Sequence, residues 1–575
     1  MDKYIDQGDW MLETLAARRT GFQQGALRMG QYMLGYLKAH QQNFDAIERK
    51  RDRILQAMGT CYHHANAWRV VVDCALDLHI HMERSGDWEI WQGFLEMAIS
   101  AAEKLNDPVA RAGLLSRMGS ILHLRGRWAE ALDRLTQALD LLGQLDEEKE
   151  LALALRTMGR IHTNQAEWEQ ALDDFQQAMG HLECSAEHAV TGQLWIDMGE
   201  VYWRQADWDE ALACFRRALP VVTTHGDRRD QGRVNHGIGN VYLQTGRWKQ
   251  AQQYYERAHQ CYTEAGDRRR QAIVLMNMGI VQAQQGEWEA ALAHFESAEE
   301  AMRQIKDIRG LSQVLNNLGQ IHRMQSNLDE ALVCYEGSVR LCQQLGDDYG
   351  TATSLSNIGI IYRWQGDLDR ALDAYAQAEL VLQKVGDHHT LATVWNNMGK
   401  IHQMQHDLQQ ALYCHVRARH IFTSLDDWQG CAAALNNIGI ICRSRARWGR
   451  ALAYHHRALA LYQEIDDKYG VAQTCDDLGL TWAGQGQWAK AVSHYCQAIT
   501  TLQELGERIV LAEVYWHLAQ AYWQQGQRGE ARLAGEKSLA LYRQVDTPEA
   551  KEVETWLEQS FARCGGGRDC KGKAS

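Results

Sequence analysis

Asn277, Asn317, Asn357, Asn397 and Asn437 stand 40 residues apart. A carboxamide carries a donor and an acceptor together, so a row of them can pair with the backbone of an extended chain whatever its sequence. Asparagine is a poor helix-interior residue, because its amide competes for backbone hydrogen bonds. Each of these nevertheless sits among apolar residues, as in VWNNMGKIHQMQ at 394–405. In phase with them lie Ile360 and Lys400, then Arg323, Arg363 and Arg443, then Met324, Trp364 and Met404, at one, four and five residues past a recurring glycine. Ile, Met and Trp beside amides make a surface suited to an amphipathic or extended peptide. The arginines would reach the edge of such a surface or bridge to acidic residues of a neighbouring repeat. Two other readings of the asparagines stand beside this one: plain solvated amides, or amides that tie one repeat to the next.

Other chemistry finds less support. GRDCKGKA at 567–574 matches a phosphate loop until Ala574, where the magnesium-binding hydroxyl should stand. His79 and His81 diverge by about 200° on a helix and cannot share a metal. His162, His322, His402, His415 and His455 fall in aromatic slots of the repeat, which makes them core or interface residues. The 14 cysteines contain no C-x-x-C, and six of them sit within helical patterns as small hydrophobes. No nucleophile–base pair can be defended, so the expectation is a protein that is not an enzyme and needs no cofactor or metal.

The formal net charge is -13, which disfavours non-specific binding to nucleic acid or anionic lipid. No apolar run reaches the roughly 18–20 residues of a membrane span. The first residues lack the apolar core of a signal peptide. A protein of the reducing cytoplasm is expected, with neither nucleic acid nor membrane as partner. Toward the N-terminus, Arg117, Arg160, Arg204 and Arg233 occupy comparable face positions, interrupted by Asp197 and Glu200. An acidic stretch of ligand could dock there.

The elements that must position these residues follow from a strict period. Gly119, Gly159, Gly199, Gly239, Gly279, Gly319, Gly359, Gly399, Gly439 and Gly479 are 40 apart, with Ala twelve residues after each and Trp or Leu nine after. Such self-similarity marks a repeat architecture. Leu355, Ile358 and Tyr362 cluster on one face around Gly359, and Ala371, Leu372, Tyr375, Ala378 and Leu382 continue on a second helix. Gly-Asp or Asp-Asp pairs close most units, with Gly suited to ending a helix and Asp to capping the next. With the glycine at 0°, the buried positions centre near about −50°, so the residue two before it, at about 160°, points away from the core. The residue three before it, at about 60°, lies on the flank, where Asn316, Asn396 and Asn436 would bond to the adjoining helix.

Apolar, Gly, aromatic, Ala, aromatic and Ala at these offsets resemble the tetratricopeptide repeat, in the longer 40-residue form found in polarity adaptors and in the C-terminal arrays of prokaryotic signal-transduction ATPases. The resemblance implies an all-α, right-handed superhelical solenoid whose first helices line a concave groove. It divides the chain into a helical N-terminal segment (1–71), about 12 repeats (72–545) with degenerate first and last units, a capping helix (546–564) and a disordered tail (565–575). It also implies a scaffold or sensor that holds a peptide or partner protein in the groove, centred on residues 272–445. In members that hold peptides, asparagine two before the glycine pairs with the guest backbone. The alternative is an accessory subunit of a prokaryotic signalling or defence assembly whose partner carries the catalytic activity. Neither the ligand nor the oligomeric state can be read from the sequence.

Overall fold

The computed structural model describes residues 2–41, 43–145, 147–182, 188–545 and 547–561. The described residues form 27 α-helices and one short 3-10 turn. They fall into two compact units, Met1–His294 and Phe295–Ser575. The tail and its phosphate-loop-like stretch lie outside the described residues. Residues ahead of the repeats form the helices Asp2–Ala39 and Phe44–Tyr62, followed by Trp68–Ser85. A final helix, Glu549–Phe561, covers the last pair through Val553 and Trp556.

Each repeat is a helical hairpin, identified here by its phase glycine. The Gly399 repeat is His388–Met404 followed by Leu408–Ser424, and the Gly439 repeat is Trp428–Ser444 followed by Trp448–Glu464. The glycine is needed because the large residue sixteen positions later lies on it. A Cβ at Gly399 would stand 2.6 Å from the His415 ring, and one at Gly359 would stand 2.8 Å from Tyr375. The alanines twelve past the glycine, such as Ala411 and Ala451, are fully buried in the same seam. Only a bare backbone and a methyl group let two helices approach this closely around a ring.

Helix ends follow the pattern of caps. Gly346 and Gly386 end their helices with φ of 67° and 78°, and Asp426 and Asp466 take the same left-handed conformation. Asp347, Asp387, Asp427 and Asp467 then accept from the backbone N–H three residues on. Each such cap contributes about 1 kcal/mol.

Within each unit the two rows of helices are unequally spaced. Successive first helices touch, as Asp348–Gln365 touches His388–Met404 and as His388–Met404 touches Trp428–Ser444. In the N-terminal unit, Glu148–Asn164 and His188–Arg204 do the same. Among the described helices of the repeats, no two second helices approach as closely. A row that is tighter on one side curves toward that side, so the first helices take the inner face of each unit.

Candidate functional site

The sequence-predicted residues of the C-terminal unit all lie on this inner row. Met324, Trp364 and Met404 share one register and are 52%, 46% and 51% exposed. Ile360 and the three arginines are half-buried, and Lys400 is exposed. Lys400 is nonetheless desolvated, and its pKa is lowered by that desolvation and then by the Arg363 charge. Lys400 is thus crowded by neighbouring protein although water still reaches it. Exposed Val333, Leu380 and Tyr413 lie on second helices and form no continuous row, because Asp373 stands between the equivalent positions of Val333 and Tyr413.

The asparagines are placed differently from the free row that the helix geometry suggested. Asn437 is buried and donates through Nδ2 to Asn396 Oδ1 at 3.1 Å. Asn357 donates to Asn316 Oδ1 at 3.1 Å. In the N-terminal unit Asn277 donates to His236 Nε2 at 2.8 Å and to Asn240 Oδ1 at 3.3 Å. Their amide N–H groups therefore tie one repeat to the preceding one. Asn317 and Asn397 are half-buried on the same face without such a rung. The residue three before Gly359 is Ser356, which donates to its own helix at Ala352 and offers Asn397 no matching amide.

The rung recurs at other repeats, and asparagine is one of several residues that build it. The residue two before one glycine meets the residue three before the previous one, 41 positions back. Asn436 donates to Asp477 Oδ2 at 2.8 Å, and His517 Nδ1 stands 2.9 Å from Asp476 Oδ1. In the N-terminal unit, Arg156 donates from Nε to Asp197 Oδ2 at 2.5 Å. The residues three before the glycine also grip their own hairpin: His415 Nδ1 donates to Asn396 Oδ1 at 2.7 Å, and His455 Nδ1 to Asn436 Oδ1 at 2.6 Å. Burial pushes both imidazoles down to about 3, so they are neutral at ordinary pH. Burial also pushes the Asp477 carboxyl up to about 6, against the pull of Arg443.

The arginines four past the glycine differ in what surrounds them. Arg443 pairs with Asp477 of the next repeat at 3.2 Å. Arg323 lies 5.3 Å from the centre of the exposed Trp364 ring, which keeps it at the inner surface. Arg363 lies near Tyr375, whose pKa burial raises against the pull of Arg363, and near Lys400, whose pKa is lowered by burial and then by the Arg363 charge.

The N-terminal unit has a second polar feature on its inner row, a cavity of about 300 Å³. Arg117, Arg156, Arg160 and Arg233 line it, with Glu83 and Glu150. Asp197, read from the sequence as an interruption, is the carboxylate shared by Arg156 and Arg233, each at 2.5 Å. Those two cations hold its pKa far below the usual carboxylate range in spite of burial. Arg204 pairs on the surface with Glu200 at 3.1 Å.

Among the described residues, no group of three or more His, Cys, Asp or Glu side chains is arranged to hold a metal. The described cysteines are free thiols, most of them buried. No described helix is long and apolar enough to cross a membrane.

A family model described as "Tetratricopeptide repeat" matches residues 110–183, 150–224, 190–264, 230–304, 310–384, 351–424, 390–464, 430–504 and 477–544. No curated protein matches the chain. Among solved structures, the chain is similar to BtubC (BKLC) from P. vanneervenii, at 18% identity and TM-score 0.34, covering 43% of this chain and 96% of that one. It is similar to a Rap protein complexed with Competence and Sporulation Factor, at 14% identity and TM-score 0.45, covering 62% and 99%. It is also similar to the apo quorum sensor NprR from B. thuringiensis, at 13% identity and TM-score 0.47, covering 60% and 97%.

Proposed function

The chain belongs to the tetratricopeptide repeat family, whose arrays bind proteins and peptides, and from that premise we propose that its C-terminal unit captures a peptide segment of a partner protein on the inner row of helices. The observation that carries this reading is the in-register line Met324, Trp364, Met404, roughly half exposed on a surface that desolvates Lys400. Exposed apolar side chains in line on a concave surface lose water at little cost when a guest covers them. Trp364, backed by Arg323, is the anchor, since a large ring fixed by a neighbouring cation loses little freedom on binding.

The asparagines take a smaller part than a free ladder would. Asn317 and Asn397 present their amides to the guest, whereas Asn357 offers only its carbonyl oxygen and the N–H that its rung leaves, and Asn437 is buried in its rung. Lys400 and Arg363 add positive charge midway along the row and favour a guest with a carboxylate between its apolar contacts. Ile360 widens the apolar strip. The chemistry of the complex is recognition without catalysis, in a reducing compartment that suits the free thiols.

Selection from a random peptide display library on the purified chain tests this. A convergent peptide family, whose binding drops about tenfold or more with Trp364→Ala and is unchanged with Leu380→Ser, supports the reading. Selection without convergence, or binding insensitive to Trp364→Ala, overturns it.

A further inference from the structure

The cavity in the N-terminal unit raises a separate question, because its charges do not pair off. Arg156 and Arg233 share the single carboxylate of Asp197. Arg233 also lies 3.7 Å from Asp230, whose other oxygen accepts from Gln193. Arg117 is paired with Glu150 at 3.2 Å. Arg229 and Arg270 both pair with Asp267, at 3.0 and 3.5 Å. Arg160 is left with no carboxylate in ion-pair range among the described residues. It feels Asp197 and Glu83 from farther away, and Arg156 and Arg233 against them.

Arg160 is half-buried in the cavity wall on the helix Glu148–Asn164. A guanidinium in such a place is held without the ionic partner that ordinarily accompanies it. Its five N–H donors form a planar fork that matches an oxyanion. The same cavity is lined by the hydroxyls of Ser116 and Ser120, the aliphatic surfaces of Leu76, Ile80 and Leu153, and the carboxylates Glu83, Glu150, Asp227 and Asp230. That combination, a fork-shaped cation with hydroxyl donors and a small apolar wall, describes a pocket for a small organic acid or phosphate ester, of about the size at which ligand pockets begin.

We propose that this cavity binds a small oxyanion, a carboxylate or phosphate group, on the Arg160 guanidinium, with Arg156 and Arg233 flanking it. Desolvation lowers the pKa of Arg160, as do the neighbouring arginines, so an anion placed there relieves an existing strain on the charge. The bound group would touch Arg160 and Arg156 on the helix Glu148–Asn164 and Arg233 on Arg228–Gln244, and Asp197 on His188–Arg204 already joins those last two arginines. It would therefore stiffen three consecutive repeats and report the presence of a small anion in the packing of the inner row. This site lies in the N-terminal unit and does not use the residues of the peptide face.

The test uses the full chain with inorganic phosphate and with succinate as probes, and with chloride at matched ionic strength as the control. The expected result is a saturable rise in melting temperature with phosphate or succinate and not with chloride, lost in Arg160→Gln and retained in Arg204→Gln. Stronger response to phosphate assigns a phosphate ester, and stronger response to succinate assigns a carboxylate. If Arg160→Gln fails to fold, hydrogen exchange of the wild-type chain decides: the probe must slow exchange in residues 153–160, 193–200 and 229–236 selectively. A rise that persists in folded Arg160→Gln, an equal rise with chloride, or no response to either probe overturns the proposal.

Discussion

Asn437 donates its amide to Asn396 at 3.1 Å across 41 residues of chain, and Arg156 meets Asp197 at the same separation. One register thus places amide on amide in one unit and cation on carboxylate in the other. Stability of a linear array depends on such nearest-neighbour terms, and each rung is a polar bond in a seam largely closed to water. Loss of the Asn437 rung removes one of the two hydrogen bonds that Asn396 Oδ1 accepts, the other coming from His415.

The rung predicts an asymmetry among asparagines that look alike in sequence. Asn437→Ala removes the bond to Asn396 and lowers unfolding stability by about 1 kcal/mol. Asn397→Ala removes no such bond and changes stability by about 0.5 kcal/mol or less. Denaturant midpoints of the two variants, at equal slope, measure the difference. Equal losses would mean that the rung contributes nothing.

The phase glycines predict a sharper contrast. Gly399→Ala drives a Cβ to 2.6 Å from the His415 ring, fixed in turn by Asn396, and costs about 1–3 kcal/mol. Gly93→Ala, inside the helix Trp88–Lys104 with nothing within 4 Å of the added atom, stabilises by up to about 1 kcal/mol. Thermal melts that shift in opposite directions would bear this out, and a tolerated Gly399→Ala would show that the two helices can separate at no cost.

The buried histidines set a pH dependence. His415 and His455 are held down to about 3 in the folded chain, whereas the unfolded chain protonates them near 6.5. Their contribution is present above 6.5 and is lost as pH falls toward 3, by up to about 1.4 kcal/mol per histidine per pH unit. Asp477 has the opposite sign: held up to about 6, it contributes stability at acid pH that is lost as pH rises through 6. Tyrosine fills the same slot as Tyr375 and Tyr495. A His415→Tyr, His455→Tyr double variant should therefore lose stability less steeply than the wild type between pH 6.5 and 4.5, as measured by denaturation at each pH. Parallel curves would remove the histidines from the account.

The hairpins, their seams and their caps were legible in the sequence, because the 40-residue period fixes Gly399, Ala411 and Asp427 by phase alone. The rungs stood only as one of three readings of the asparagines, for a physical reason. Angles on one helix say which way Asn437 points but not what the preceding repeat brings to that spot. Had Asn396 and Asn437, or Arg156 and Asp197, been compared at a separation of 41, the match of donor to acceptor was there to be found. For the same reason Asp197 reads in the sequence as a break in a basic run, whereas in the fold it is the anion shared by Arg156 and Arg233. Trp364 needed only exposure, which its position five past the glycine already implied.

The most direct measurement is photo-crosslinking in the native host from a benzoylphenylalanine placed at Met324, Trp364 or Met404, with Leu380 on a second helix as control. The account predicts that the three inner positions capture neighbouring residues of one segment from one protein, in an order that follows the row, while position 380 does not. Capture of the same segment from position 380, or unrelated peptides from the three inner positions, would contradict it.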